Sequence, residues 1–282
     1  MTKVALEQLA VAPGRAEDNR EHAGSRATES LHAGADIVVL PELAISGYVT
    51  EPWAAKAVAE AFDGPSVELF TRITGVYGGL VAFGFCERDG ADLFNTVALV
   101  GADGPILRYR KIHLFDREPD AFTAGNLGLP VAGTPFGNIG ICICYDLRFV
   151  EVLRILSLQG ADIVLAPAAW VAGFDRPVPN SSATRHVDSV LAQANLDQVA
   201  VVAVSQVADT APGSPATLGG SVACDAYGQV VVGPLSRDAP DSAIANFDLA
   251  EIRAAQVRSS TIRPRADRRV DIYNVFYDGR QL

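Results

Sequence analysis

The 282-residue sequence predicts an α/β fold with mixed strand connections. Three observations carry that expectation. Apolar residues make up 49% of the chain, enough to fill a sizeable core. Short β-branched runs alternate with amphipathic segments from one end to the other, too irregularly for a repeated βα barrel. One pentad, Gly-Ala-Asp-Ile-Val, also opens a buried-looking strand twice, at 34–38 and at 160–164. Two explanations of the echo stand. Helix–Gly–strand junctions look alike because Gly ends helices and β-branched residues fill buried strands. Alternatively, two halves of one fold are related by approximate two-fold symmetry. No linker-like stretch separates the halves, so residues 1–282 are expected to form one domain.

Each element follows from its local pattern. "KVALEQLAV" reads as a strand, residues 16–33 as a helix and "ADIVVLPE" as a buried strand. A helix is expected around 65–77, then the strands "GGLVAFGFCER", "LFNTVALVG" and "GPILRYRK". The Gly- and Pro-rich stretch 112–136 reads as a long loop. The strand in "GNIGICIC" then leads to a helix near 148–159, the strand "ADIVLAPAA" and a helix near 181–198. "VAVVAVSQV", "GGSVACD", "GQVVVGPL" and "SAIANFDL" complete the strands, and "LAEIRAAQVR" makes a late helix.

The formal charge of −10 argues against nucleic acid and against an anionic membrane surface, both of which attract basic patches. No apolar run approaches the length of a membrane span, and "MTKVALEQLAVAPG" lacks the shape of an export signal. Cys86, Cys142, Cys144 and Cys224 form neither a disulfide framework nor a paired CxxC pattern. Reduced thiols in a cytoplasmic protein are therefore expected.

Three residues stand out against bland alternatives. Cys86, Cys142 and Cys224 read as small core hydrophobes. Cys144 instead lies at a strand-to-helix junction, where unused backbone N–H groups can stabilise a thiolate or an oxyanion. Glu42 in "VVLPELAISGY" follows a buried strand at its carboxyl end, where ligands and catalytic groups gather in open α/β sheets. A carboxylate there is costly unless paired, or it has simply turned into water. In "RYRKIHLFD", strand alternation sends Arg108 and Arg110 to one side, read as a solvated face, and Lys111 to the other, among Ile112, Leu114 and Phe115. A buried lysine needs a carboxylate partner or a task. Together the thiol, glutamate and lysine suit a nucleophile, a proton acceptor and donor, and an oxyanion stabiliser. Of the histidines, His22 and His32 fall in helices, His113 and His186 in loops or helix starts, and none forms a visible Cys–His pair.

These residues bring a family resemblance. "LPEL", "YRKIHLF" and "GICICYDLRFVE…GADIVLAPAAW" are similar, in order, to the three signature blocks of the nitrilase superfamily of carbon–nitrogen hydrolases, and most resemble bacterial aliphatic amidases. The resemblance reaches from the first strand to "GGSVACDAYGQVV". It implies an αββα sandwich, a homodimer that extends it to αββααββα, and a catalytic triad of Glu42, Lys111 and Cys144 with no metal or organic cofactor. It also implies a second glutamate after the lysine, placed at Glu118, with Asp120 as the weaker candidate and an exposed loop carboxylate as the bland one. Val150 stands where the family often has proline, and "AQANLDQ" replaces its Arg-rich helix, so no substrate contact is assigned to that helix.

The implied reaction is attack by Cys144 on an amide carbon, with Lys111 and the Tyr145 backbone N–H holding the oxyanion, each donor worth about 3–4 kcal/mol. Trp170 and Phe174 wall the acyl pocket, or serve as core or dimer-contact aromatics. Asp146 and Arg148 are expected to be structural. The expected substrate is a small neutral amide, with ω-amides and N-carbamoyl compounds as competitors. An ω-amidase needs a cation, for which Arg176 is the candidate. Nitrile hydrolysis is disfavoured because Tyr145-Asp146 stands where nitrilases usually carry Trp-Glu. A catalytically silent binding member is disfavoured because Glu42, Lys111 and Cys144 are all retained. The tail, about 259–282, is basic and then aromatic, and Tyr273, Phe276 and Tyr277 are expected to dock at the dimer interface.

Overall fold

The structure, a computed structural model, describes residues 1–171, 185–208 and 216–282. The chain opens with β1 (Thr2–Gln8), α1 (Ala16–His32), β2 (Ile37–Val39), α2 (Pro52–Val58) and α3 (Pro65–Tyr77). An antiparallel run follows: β3 (Leu80–Asp89), β4 (Asp92–Gly101) and β5 (Gly104–Arg110). After α4 (Glu118–Ala121) come β6 (Val131–Thr134), β7 (Gly137–Ile141), a 3₁₀ turn (Cys144–Arg148), α5 (Val150–Leu158) and β8 (Ile163–Ala168). The remainder is α6 (Arg185–Asp197), β9 (Ala200–Ser205), β10 (Val222–Cys224), β11 (Val230–Val232), β12 (Asp241–Phe247), α7 (Leu249–Ala254) and the hairpin β13 (Phe276–Tyr277) and β14 (Arg280–Gln281). Among the described residues, no helix is long and apolar enough to cross a membrane.

Two six-stranded sheets carry the fold, with helices on their outer faces: the expected αββα sandwich. Strand alternation sorts the side chains. Ala5, Val38, Val81, Phe83 and Ala98 point outward against Ala23, Ala27, Leu31 and Phe70 of α1 and α3. Val4, Leu6, Ile37, Val39, Ala82 and Val97 point inward against Ile139, Ile141, Ile163 and Leu165 of the second sheet. Strands buried on both faces read as continuous apolar runs, which is why they were legible.

The repeated pentad is explained in both of the ways open to it. One sheet runs β12-β1-β2-β3-β4-β5 and the other β6-β7-β8-β9-β10-β11. Both pair in the same succession: antiparallel, parallel, parallel, antiparallel, antiparallel. The local junctions also match. Gly34 and Gly160 end their helices at φ +91° and +92°. Asp36 Oδ2 then accepts from Lys3 N at 2.8 Å, and Asp162 Oδ2 from Asn138 N at 2.9 Å. One junction is thus used twice, at equivalent places in two sheets of one pairing scheme.

Two expectations need correction, and the tail shows a contact within its own chain. Arg108 and Arg110 do share a face, but it is not a solvated one: both guanidinium groups bind the fully buried Glu87, and Arg110 also pairs with Asp89 at 2.6 Å. They lie over aromatic rings, Arg108 above Phe62 and Arg110 above Phe94. The loop 112–136 contains α4 and β6, both too short to leave a periodic signal, and α2 was missed because only its Ala55 is buried. The tail also docks partly on its own chain: the Tyr277 hydroxyl accepts from Leu129 N and packs against Gly128. Tyr273 and Phe276 are exposed, and Asp278 and Gly279 form a positive-φ turn.

Glu42, Lys111 and Cys144 each lie just beyond the carboxyl end of a strand: β2, β5 and β7. Close approach of β3 to the Glu42 turn depends on Gly84, where an added Cβ would meet Leu43 N at 2.4 Å and Pro41 O at 2.9 Å. Gly84→Ala should lower the urea-unfolding free energy by about 1–3 kcal/mol. Gly75→Ala, on α3 where nothing lies within 4 Å, should raise it by about 0.5–1 kcal/mol. Equal effects of the two in the same titration would show that the approach at Gly84 is not tight.

Candidate active site

The chain leaves β2 through Pro41 and turns at Leu43, which has φ +47°. This places the Glu42 carboxylate in the interior at 0% exposure. Its Oε1 accepts from Asn95 Nδ2 and from Lys111 Nζ, both at 2.7 Å. Its Oε2 has no hydrogen-bond partner among the described residues. The backbone carbonyl of Glu42 accepts from Gln206 Nε2 at 2.5 Å, which ties the first sheet to the end of β9 in the second. Burial raises the Glu42 pKa above its ordinary value; Lys111 opposes that rise and Glu118 adds to it.

Lys111 is set by the strand before it. Its backbone N–H donates to Asn95 O at 2.8 Å, and alternation turns its side chain away from Arg108 and Arg110, into the space between the sheets. Nζ bonds Glu42 Oε1 and Glu118 Oε1, each at 2.7 Å. Burial alone would strip the proton from this lysine, yet Glu118 and Glu42 hold its pKa above the ordinary value. Glu118 is fully buried, whereas the Asp120 side chain is 53% exposed and pairs with Arg117. Of the two acidic candidates, Glu118 is thus the one placed against Lys111, and it is not an exposed loop carboxylate. Tyr48 donates its hydroxyl to Glu118 Oε1 at 2.9 Å, and Phe115 N donates to Oε2 at 2.9 Å.

Cys144 opens the 3₁₀ turn with φ +47° and is partly exposed, while Cys86, Cys142 and Cys224 are buried. Burial holds its thiol pKa well above the ordinary value and Glu42 raises it further; Lys111 and the Ala169 backbone N–H act in the opposite direction. These interactions bring Glu42, Lys111, Glu118 and Cys144 into one electrostatic cluster. The turn itself hangs on Asp146, which is fully buried. Its carboxylate accepts from Tyr109 OH at 2.6 Å, Ile143 N at 2.8 Å and His113 N at 3.2 Å, and meets His113 Nδ1 at 2.8 Å. Asp146 is structural, as expected. Its bonds flank both Lys111 and Cys144.

Cys144 lines a cleft with Phe115, Tyr145, Leu147, Ala169 and Trp170 on its apolar side and Arg148, His186 and Ser189 among its polar residues. The free space is about 410 Å³ counting the open mouth, but only about 30 Å³ admits the centre of a water-sized molecule. Trp170 is buried and stacks on His186 with ring centroids 5.3 Å apart, so it is both wall and core. The Tyr145 ring meets Phe115 and Phe149 edge-on, each at 5.2 Å. Phe174 and Arg176 lie outside the described residues. Among the described residues, no group of three or more His, Cys, Asp or Glu side chains is disposed to hold a metal ion.

Sequence reasoning missed Asn95, Tyr48, Gln206 and the bracing role of Asp146. Asn95 left the clearest trace, an amide between Phe94 and Thr96 in a largely apolar strand. Arg148 was expected to be structural only, yet it lines the cleft.

The carbon–nitrogen hydrolase family profile matches residues 3–257. The chain is 31% identical to the omega-amidase NIT2-A of Xenopus laevis over 287 aligned residues, covering 97% of each. It is 30% identical to the citrullinase of Francisella tularensis subsp. tularensis over 282, covering 96% of each. A crystal structure of an amidase from Nesterenkonia sp. superposes with a TM-score of 0.77 at 23% identity, covering 96% of this chain and 94% of that one, and shares the fold. With a family match across most of its length and the αββα architecture in place, the chain belongs to the carbon–nitrogen hydrolase family.

Proposed function

We propose that this hydrolase is a cysteine-dependent amidase that releases ammonia from small aliphatic amides through a thioester on Cys144. The observation that carries the reading is Lys111, buried between Glu42 and Glu118 beside the one partly exposed thiol among the four cysteines. Glu42, through its unpartnered Oε2, takes the thiol proton as Sγ attacks the amide carbon. An ammonium group has three donors, and two are committed to Glu42 and Glu118, which leaves one for the oxyanion together with the Tyr145 backbone N–H. Collapse of the adduct breaks the carbon–nitrogen bond, and Glu42 passes its proton to the departing ammonia. Water, deprotonated by the same carboxylate, cleaves the thioester to acid and free thiol. Glu118 holds Lys111 from the other side and positions the substrate.

The apolar walls formed by Phe115, Tyr145 and Trp170 and the narrow free space suit a short acyl chain. A second reading is favoured by Arg148 and His186 in the same cleft: a substrate whose far end is anionic, such as an ω-amide, or one with a ureido group. The names of the omega-amidase and citrullinase relatives support it. The homodimer is proposed too, with the exposed Val150, Leu196, Ile272 and Phe276 as apolar surface for it.

The deciding assay is ammonia release from propionamide, glutaramate, N-carbamoyl-β-alanine and propionitrile, with Cys144→Ala as blank. Propionamide should turn over fastest, and hydroxylamine should divert the acyl group to a hydroxamate. Turnover of glutaramate alone would replace the neutral-amide reading with the anionic one, and activity in Cys144→Ala would remove the thioester mechanism. The pH profile supplies a separate check. Glu42 must be ionised to act as base, and its raised pKa means the ionised form is lost at a higher pH than for an exposed glutamate. The acid limb of kcat/KM should therefore lie above the ordinary glutamate pKa of about 4.3; a limb at or below it would exclude Glu42 as the base.

A further inference from the structure

We infer that Asn95 is a positioning residue that selects which oxygen of Glu42 exchanges the proton, an inference that rests on the cysteine–glutamate reading above. Two donors converge on a single oxygen of this carboxylate. Asn95 Nδ2 and Lys111 Nζ both bond Oε1 at 2.7 Å, while Oε2 has no partner among the described residues. A proton placed on Oε1 would displace one of these bonds, so the proton rides on Oε2. Lys111 alone would not impose that choice, because its ammonium is shared with Glu118 and must also serve the oxyanion. Asn95 is committed to Glu42.

The strand makes Asn95 suited to this task. Alternation along β4 sends Thr96 outward to Glu87, where its hydroxyl donates at 2.8 Å, and turns Asn95 inward to Glu42. The Asn95 backbone carbonyl also accepts from Lys111 N. One residue therefore registers the base through its side chain and the lysine through its main chain. Its own Oδ1 is buried without a partner among the described residues. A buried amide whose oxygen makes no bond needs a reason other than stability, and orientation of the base supplies one. A leucine of similar size would fill the same space without that unpaired oxygen.

The charged and titratable groups facing Glu42 are Lys111 past β5, Glu118 in α4, Tyr48 beyond the Glu42 turn and Cys144 on the 3₁₀ turn. Donors to a carboxylate favour its ionised form. Loss of the Asn95 bond raises the Glu42 pKa and moves the acid limb upward. Asn95→Leu and Asn95→Ser should each lower kcat for the best amide about 10- to 100-fold, the scale of general-base catalysis. KM should change less than about threefold, and the acid limb of kcat/KM should rise by roughly one pH unit. Asn95→Asp, which adds a carboxylate beside Glu42, should raise the limb further. Thermal melting of all three variants is measured in parallel. A fall in kcat with the limb unmoved in the folded variants would reduce Asn95 to packing and overturn the inference. Wild-type kcat in any folded variant would do the same. Activity in Cys144→Ala would instead sink the reading beneath it, so the two failures are separable.

Discussion

The site is organised around one ammonium group buried between two carboxylates. Lys111 carries one positive charge against Glu42 and Glu118, and none of the three side chains reaches solvent. Desolvating three charges is expensive, and a buried pair left without one partner typically loses several kcal/mol. The arrangement persists because further donors complete it: Asn95 on Glu42, and Tyr48 and the Phe115 N–H on Glu118. A surplus negative charge remains at the centre. It holds the Lys111 pKa up against burial, and it adds to burial in raising the Cys144 thiol pKa.

That cluster draws on both sheets, and two braces keep them in register. Gln206, past β9, reaches across to the Glu42 carbonyl. Asp146, in the nucleophile turn, gathers Tyr109 and His113 on either side of Lys111 together with the Ile143 N–H beside Cys144. The Asp146 brace is almost wholly side chain to backbone or hydroxyl, with the His113 ring stacked on Phe149 at 3.6 Å to stiffen its outer edge. The placement of Cys144 relative to Lys111 is therefore braced by a buried carboxylate, that of Asp146. Positive φ at both Leu43 and Cys144 fits this picture, since strained turns at strand ends aim side chains inward that a regular helix start would direct elsewhere.

Much of this was legible because its signals are local. Strands buried on both faces announce themselves as apolar runs; Glu42 and Cys144 each follow such a run where it ends, while Lys111 closes an alternating one. The sorting of Lys111 from Arg108 and Arg110 followed from alternation alone. The fate of the arginines did not, because their partner Glu87 lies on a different strand, and sequence shows a charge without its complement. The same limit hid Asn95, Tyr48 and Gln206, whose bonds to Glu42 and Glu118 span many residues. Glu118 could be separated from Asp120 only when the four-residue turn of α4 put one inside and the other in water. The bond of Tyr277 to Leu129 left no local trace either, because the two lie far apart in sequence.

The shared pairing scheme of the two sheets gives the site a further logic. Counting from Asp36 and Asp162, which make the same bonds at the same junction, Glu42 and Leu43 stand where the second half has Ala168 and Ala169. In the first half this strand end presents a carboxylate side chain. In the second, small side chains let the backbone approach instead, and the Ala169 N–H faces the Cys144 sulfur, where it favours the thiolate. In the proposed mechanism one strand end withdraws the proton and the other stabilises the charge left behind. The two functions need opposite residue types at one topological place, a bulky acid and a bare peptide. The same junction, used once in each sheet, supplies both.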